Sequence, residues 1–385
     1  MRAGASVSCP SPVIVHVITN LRSSSGGPTT AVVELAREQA ARGEAVRILC
    51  DEPLELGSAA PTRWEGLDVQ VLPASGASRC APMRRAEIQR QLAELTPRVV
   101  HLHGAWDPIL RRAASACASM GTPWVVSSHG MLHPFTLRQR RLKKLVYLAL
   151  FPRVLASARA VLTLNAEEAA AVERRFGVSA IVAPTGIDHD AYGQHVDGSF
   201  SRSLPGLGGR PFILFLGRLD PIKGVDRLIE AFAAAAGDGM TAHLVLAGPD
   251  SGAERSLRQQ VARLGLSERV HFVGPLAGER KLQALSECAV FAHRPRYEGF
   301  GIAVVEAMAA GRPVVTTAAC RLDGAAEAGA LLLAEDETAA FAKALVRLAD
   351  DQEASRALGA RAKAWVCREL AWPSILARVE RGYRA

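Results

Sequence analysis

Cysteine is scarce and scattered in this chain. Seven thiols occur, at Cys9, Cys50, Cys80, Cys117, Cys288, Cys320 and Cys367, an odd number with no C-x-x-C pair. That pattern speaks against a disulfide framework and a cysteine zinc site, and suits a reducing cytosol. No run of about 18 uncharged apolar residues is present, so no membrane-spanning helix is expected. The first apolar run, Val13–Ile18, lacks a basic start, so no secretory leader is expected either. There is no G-x-G-x-x-G, which weighs against a dehydrogenase. There is no G-x-x-x-x-G-K-[ST], so an ATPase phosphate loop is excluded. Acidic residues are missing altogether between Asp107 and Glu167.

What is present is an ordinary globular balance, 49% hydrophobic and 22% charged over 385 residues. That length accommodates two or three domains. The net charge is +8 and sits in one place. The acid-free interval carries nine cations, Arg111, Arg112, Arg138, Arg140, Arg141, Lys143, Lys144, Arg153 and Arg159, and the rest of the chain is nearly balanced. A local anionic partner is implied: a membrane surface, phosphates or nucleic acid. Aromatics make up only 5% and no base-stacking motif lies in the interval, which argues against nucleic acid.

Short, nearly continuous apolar runs alternate with helical stretches. In the first half the predicted strands are Val13–Ile18, Ala45–Cys50, Val69–Leu72, Val99–Leu102, Trp124–Ser127, Ala160–Leu164 and Ala180–Val182. In the second they are Phe212–Leu216, His243–Ala247, Val270–Val273, Ala289–Ala292, Val314–Thr316 and Ala330–Leu333. Strands buried on both faces of a parallel sheet have this character. Intervening helices such as Thr29–Ala41, Ile88–Leu95, Ile109–Met120, Val225–Ala236 and Ile302–Ala309 complete β-α-β units. The aperiodic stretch Gly193–Gly209 separates the two series. The expected organisation is a domain over residues 1–200, a second over 201–368, and a terminal helix over 369–385 crossing back to the first. Ligands of open parallel sheets bind outside the carboxyl ends of strands, which points to a cleft between the two domains.

Four segments at such ends carry chemistry. Arg296–Glu306 reads Arg-Tyr-Glu-Gly-Phe-Gly-Ile-Ala-Val-Val-Glu. Its Gly299 and Gly301 admit close backbone approach, and the helix start favours an anion. Glu298 and Glu306 lie at most roughly 12 Å apart along a helix, the length of a nucleotide-sugar. Two acids at this spacing can also be a helix-start acid and a solvated one, a reading the glycines after the strand weaken. Gly217–Gly224 places Arg218 and Lys223 beside another helix start, as a diphosphate clamp or as two solvated cations. Ser24-Ser25-Gly26-Gly27-Pro28, before a helix, suits close backbone approach to a ligand or is merely a tight turn. Ser127-Ser128-His129-Gly130 ends a strand, so His129 is either a ligand contact or a hydrogen-bonded structural histidine. His101, His103 and His133 share its region, without the spacing or the nearby carboxylates of a metal site.

Together these segments resemble the retaining glycosyltransferases of family 4, over about residues 12–382. The resemblance rests on Gly26–Gly27, Ser128-His129-Gly130-Met131-Leu132, Pro184-Thr185-Gly186-Ile187-Asp188, Gly217-Arg218 with Lys223-Gly224, and the Glu298/Glu306 pair. The His-Gly-Met-Leu run resembles a branch that builds exopolysaccharide, capsule or lipopolysaccharide sugars. Three departures stand out. Thr185 replaces the usual Asn, Arg294-Pro295 the usual Pro-Ser, and the loop Thr316–Gly324 has Cys320 where Gly-Gly is common.

The resemblance implies the α/β architecture called GT-B, two doubly wound Rossmann-like domains with an interdomain cleft. It implies transfer of a sugar, of hexosyl type, from a nucleotide-sugar to a glycan or lipid-linked acceptor, with retention. Arg218 and Lys223 would neutralise the leaving diphosphate, helped by backbone N–H groups of Gly299, Phe300, Gly301 and Ile302. Glu298 would contact the sugar and Glu306 the ribose. His129 would approach the sugar, and Gly26 and Gly27 the donor. No metal or other cofactor is expected, because side-chain cations and a helix terminus take that role. Another enzyme of the same architecture, an epimerase or phosphorylase, is the alternative. Residues Leu137–Phe151 have helical spacing. Arg140, Arg141, Lys143 and Lys144 would then be a solvated face or a contact with an anionic cytoplasmic leaflet. The expected location is cytoplasmic, with peripheral membrane attachment.

Overall fold

The computed structural model describes residues 13–21, 27–50, 63–64, 67–71, 81–138, 153–192 and 198–385. Gly26, the four cations Arg140, Arg141, Lys143 and Lys144, and the expected helix beyond Arg138 lie outside the described residues. The chain forms two compact units, residues 1–186 with 375–385, and residues 187–374.

Among the described residues the first unit holds eight strands: β1 (Ile14–Ile18), β2 (Val46–Cys50), β3 (Arg63–Trp64), β4 (Leu67–Val71), β5 (Val99–His103), β6 (Trp124–Ser127), β7 (Val161–Thr163) and β8 (Ala180–Val182). Their order in the sheet is β3-β4-β2-β1-β5-β6-β7-β8. Every pairing is parallel except that of β3 with β4. β1 is central, with Ile14 in register with Val46 on one side and Val99 on the other. All five of its residues are buried, which is why it shows no polar–apolar alternation and is apolar but for His16.

The second unit holds β9 (Phe212–Leu216), β10 (His243–Ala247), β11 (Val270–Gly274), β12 (Val290–His293), β13 (Val314–Thr316) and β14 (Leu332–Leu333). They are wholly parallel, in the order β11-β10-β9-β12-β13-β14. Chain order therefore reverses between β9 and β12, and in the first unit between β1 and β5. A doubly wound sheet offers its ligand site at that reversal, beyond the carboxyl ends.

Helices close both sheets. The helix Ala166–Phe176 shows the local logic. Asn165 Oδ1 accepts from the Glu168 amide, Glu167 and Glu168 occupy the first turn, Arg174 and Arg175 the last, and Gly177 ends it at φ 64°. In the second unit Val225, Leu228, Ile229 and Phe232 of the helix Val225–Gly237 pack on Phe215, Leu244 and Phe341. In the first, Ile109, Leu110 and Ala113 of Pro108–Met120 pack on Val100 and Leu102.

Several elements differ from expectation. The helix expected from Ile88 begins at Ala81, ahead of its apolar stripe. The strand expected over Ala330–Leu333 is paired only at Leu332 and Leu333. Two-residue β3 and the helices Ser199–Arg202 and Asp323–Glu327 are too short to show a period. The last helix runs Trp372–Arg384. Residues just before Gly193 join the second unit because Ile187 pairs with Ala371 and its amide donates to Leu370 O, 2.9 Å.

Candidate functional site

At the reversal of the second sheet, two loops are zipped together. After β9, Asp220 Oδ1 accepts from the Ile222 amide at 2.9 Å and caps the short turn Pro221–Lys223. Gly224 then turns at φ 64°, and a β-carbon there would lie 2.0 Å from Arg294 O, so only glycine fits. After β12, the Arg296 amide donates to Ile222 O at 2.9 Å. The Arg296 guanidinium donates to Pro221 O and to both oxygens of Asp226, at 2.6–2.7 Å.

This zipper sets Lys223 Nζ 2.5 Å from Glu298 Oε2. His293 Nε2, at the end of β12, is 3.4 Å from the same oxygen. Burial would raise the Glu298 carboxyl, but His293 and Lys223 outweigh it and hold it down to about 2. The site therefore contains a carboxylate at neutral pH. Arg218 is exposed, and among the described residues no carboxylate engages it. The Glu298 backbone is bracketed by the Cys320 loop: its amide donates to Ala319 O at 2.9 Å and its carbonyl accepts from the Arg321 amide at 3.1 Å. Cys320 is buried, and burial pushes its thiol well up. A β-carbon on Gly301 would lie 3.1 Å from its sulfur. The departure from the family pattern in this loop thus packs directly beneath the glycine that starts the helix Ile302–Ala309.

That helix begins at Gly301, φ 71°, and its first amides have no intrahelical acceptor. Its one acid, Glu306, is buried. Glu306 Oε1 accepts from Lys281 Nζ at 2.7 Å and Tyr192 Oη at 2.9 Å. Arg294, the second departure, is buried and structural: it donates to Arg227 O, Thr338 Oγ1 and Asp336.

In the first unit, the loop after β6 carries His129 at φ 49°, a left-handed conformation that a non-glycine residue adopts at a cost. Buried Glu168 anchors this loop: its Oε1 accepts from the Leu132 amide at 3.0 Å and its Oε2 from the Leu164 amide at 3.2 Å. Ser128 N and Oγ both donate to Leu162 O. His129 Nε2 lies 3.1 Å from His103 Nδ1, and His103 Nε2 lies 2.8 Å from His16 Nδ1. His16 Nε2 lies 2.7 Å from Gln39 Oε1. Burial lowers these three imidazoles and that of neighbouring His101, bringing His16 and His129 to about 4, so they are neutral near pH 7.

His16, His101 and His103 are the one trio of potential metal ligands among the described residues, with donor atoms within 4.8 Å. Each of their ring nitrogens already has a hydrogen-bond partner. Those partners, and the stacked rings, suit a hydrogen-bonded chain rather than a coordination sphere. His133 stands apart, 3.2 Å from Glu167. Gly27 starts the helix Gly27–Ala41 and is exposed.

The structure thus brings together Lys223 and Glu298, with Arg218 and Gly299–Ile302 in the same two loops. Sequence reasoning missed His293, Lys281, Tyr192, Glu168, His16 and Gln39. His293 had a signal, since it ends an apolar run as His129 does.

The class defined by this fold is a pair of doubly wound units, one of them with a glycine-led helix start at the reversal of its sheet. Residues 25–191 match the family model described as Glycosyltransferase Family 4, and residues 200–365 match Glycosyl transferases group 1. The chain belongs to the family 4 glycosyltransferases, of GT-B architecture. It is 34% identical over 225 residues to a D-inositol 3-phosphate glycosyltransferase of Nocardia farcinica, covering 55% of this chain and 49% of the relative, about half of that protein's length. It is 29% identical over 316 residues to a GDP-mannose:cellobiosyl-diphosphopolyprenol alpha-mannosyltransferase of Xanthomonas campestris, covering 77% of this chain and 76% of that one. The crystal structure of Anabaena HepE in complex with UDP and glucose matches with a TM-score of 0.75, at 23% identity, covering 96% of this chain and 98% of that one.

Proposed function

We propose that the protein transfers a hexosyl group from a nucleotide-sugar to an acceptor hydroxyl, with retention of anomeric configuration. The observation that carries this reading is the Lys223–Glu298 pair beside exposed Arg218 at the reversal of the second sheet. The charge that develops in such a transfer falls on the departing diphosphate and on an oxocarbenium-like sugar. Arg218, Lys223 and the first amides of Ile302–Ala309 meet the diphosphate, in preorganised positions. The Glu298 carboxylate accepts hydrogen bonds from sugar hydroxyls, and Glu306 from the ribose. His129 contacts the transferred sugar, and Gly26 and Gly27 approach the donor. Segment Ser127–His133 holds no carboxylate, so the reading favours front-face attack, in which the leaving phosphate takes the acceptor's proton. The two cations and the helix start supply the electrostatic role, and no metal is assigned.

The acceptor in this reading is a growing polysaccharide or a lipid-linked sugar, the second being what the Xanthomonas relative's name records for that protein. The enzyme then works at the cytoplasmic face of a membrane, held peripherally. No helix among the described residues is long and apolar enough to cross a membrane. The test is incubation with a panel of nucleotide-sugars, with and without polyprenol-diphosphate-linked sugars. Acceptor-dependent release of nucleoside diphosphate, and an α-linked product from an α-linked donor, are expected. Interconversion of nucleotide-sugars without release, as an epimerase gives, would overturn the reading.

A further inference from the structure

The histidine chain in the first unit is directional, and one amide sets its direction. Gln39 Nε2 donates to Tyr383 Oη at 2.9 Å. Gln39 Oε1 is therefore the end that faces His16 Nε2, at 2.7 Å, and can only accept. That nitrogen must carry the proton. A neutral imidazole has one N–H, so His16 Nδ1 accepts from His103 Nε2 at 2.8 Å. His103 Nδ1 then accepts from His129 Nε2 at 3.1 Å. The other arm closes in the same sense. The Tyr383 hydroxyl, having accepted from Gln39, donates to His101 Nδ1 at 2.9 Å, and His101 Nε2 donates to Ser127 Oγ at 2.7 Å. No donor in the chain is left facing a donor.

We infer that Gln39, acting through His16 and His103, fixes His129 as the Nε2–H tautomer, so that His129 Nδ1 is a bare acceptor. The inference rests on the reading above that His129 contacts the transferred sugar. An acceptor nitrogen pairs with a sugar hydroxyl that donates, whereas the other tautomer would present an N–H to it. Gln39, His16, His103 and Tyr383 are thus positioning residues, on the helix Gly27–Ala41, on β1, on β5 and on the last helix. The amide is the decisive group, since turning it over would reverse every bond down to His129. Tyr383 is itself held in place. The Arg98 guanidinium lies over its ring, 5.5 Å from the centroid, and Arg98 is paired with Glu380 at 2.9 Å. Burial keeps these rings neutral near pH 7, so each carries a single N–H.

Long-range proton–nitrogen correlation spectra of the full chain, labelled with ¹⁵N-histidine at neutral pH, test this directly. His16, His103 and His129 should each show a protonated Nε2 and a bare Nδ1. A protonated Nδ1 on His129, or a charged ring, overturns the inference without any variant. Zinc added to the labelled protein should leave these signals in place; their replacement by metal-bound signals also overturns it. Gln39→Met and Tyr383→Phe should each convert the His129 signal to a mixture of tautomers. They should lower kcat roughly tenfold, the effect of one weakened hydrogen bond, with little change in donor KM. In a His129→Ala background, Gln39→Met should cost nothing further, and an independent, additive loss overturns the relay. Wild-type turnover by His129→Ala would instead defeat the sugar-contact reading, while the spectra of the native chain still decide the tautomer.

Discussion

Lys223 Nζ and Glu298 Oε2 meet at 2.5 Å although 75 positions separate them in the chain. They meet because β9 and β12 are neighbours at the point where the second sheet reverses, and because Gly224 and Arg296 lock their loops together. Lys223 is therefore placed both to meet an incoming anion and to keep Glu298 ionised.

Arg218→Ala and Lys223→Ala should each slow transfer by about 3 kcal/mol of transition-state stabilisation, on the scale of one lost preorganised donor. Arg218 is exposed, so its removal should leave the melting temperature near wild type. Lys223→Ala should also lower the melting temperature, because Glu298 loses a partner. Steady-state kinetics beside thermal melts separate the two. Wild-type turnover by the double variant would remove the diphosphate clamp.

Glu298→Gln and Glu306→Gln should differ in kind. The first should lower kcat, because the proposed function puts Glu298 at the reacting sugar. The second should mainly raise the donor KM, because the proposed function puts Glu306 at the ribose. Glu306 is oriented by Lys281 and Tyr192. Lys281→Met should therefore resemble Glu306→Gln in raising KM, and an effect on kcat alone would contradict the assignment.

The Glu298 carboxyl also makes a prediction about acid stability. Its ordinary value is 4.5 and its folded value about 2. The folded state thus favours the ionised form. The resulting stabilisation is fully present above about pH 4.5 and is lost as pH falls toward 2. Over that window it amounts to about 3 kcal/mol. Denaturant unfolding of wild type and Glu298→Gln at several pH values should show the two curves converging as acid is added. Parallel curves would show that the carboxyl is not depressed.

The two-sheet fold was legible because buried strands read as apolar runs, unbroken in Phe212–Leu216 and interrupted only by His16 in Ile14–Ile18. Edge strands were less so: Arg63–Trp64 and Leu332–Leu333 are two residues long. The site was legible where glycines and charges cluster locally, at Gly217–Gly224 and Glu298–Glu306. It was not legible where a partner arrives from a distant element. Lys281 sits on the helix Gly278–Glu287 and looks like any surface lysine until that helix is laid beside Glu306. Gln39 and Tyr383 are 344 positions apart and have no local signature at all.

Gly224→Ala should be costly for a reason the sequence motif alone does not give. The added methyl group would meet the Arg294 carbonyl, and the left-handed backbone would be strained as well. Relief requires the Pro221–Lys223 turn to move, which carries Lys223 away from Glu298. We expect a loss of roughly 1–3 kcal/mol in stability and a fall in kcat comparable with Lys223→Ala. Unchanged unfolding and turnover would show that this loop tolerates displacement.

The four cations Arg140, Arg141, Lys143 and Lys144 can be tested against a membrane surface. They belong to an interval with nine basic residues and no acid, in a chain otherwise nearly neutral. If Leu137–Phe151 is a helix, Leu142, Leu145, Val146 and Ala149 fall on one stripe and the cations spread over the rest. Such a helix could pack its stripe on the protein, leaving the charges in solvent. It could instead lie on an anionic leaflet, where each cation contributes roughly 1 kcal/mol. A lipid-linked acceptor favours the second arrangement, because attachment concentrates enzyme and acceptor on one surface. Co-sedimentation should show binding to vesicles containing anionic lipid at low salt, and loss of binding as salt rises, since exposed charges are screened within about 10 Å at 0.1 M. Changing all four residues to Gln should abolish sedimentation while leaving transfer to a soluble acceptor analogue intact. Equal sedimentation by that variant, or none by wild type, would remove the membrane contact and leave the transferase assignment untouched.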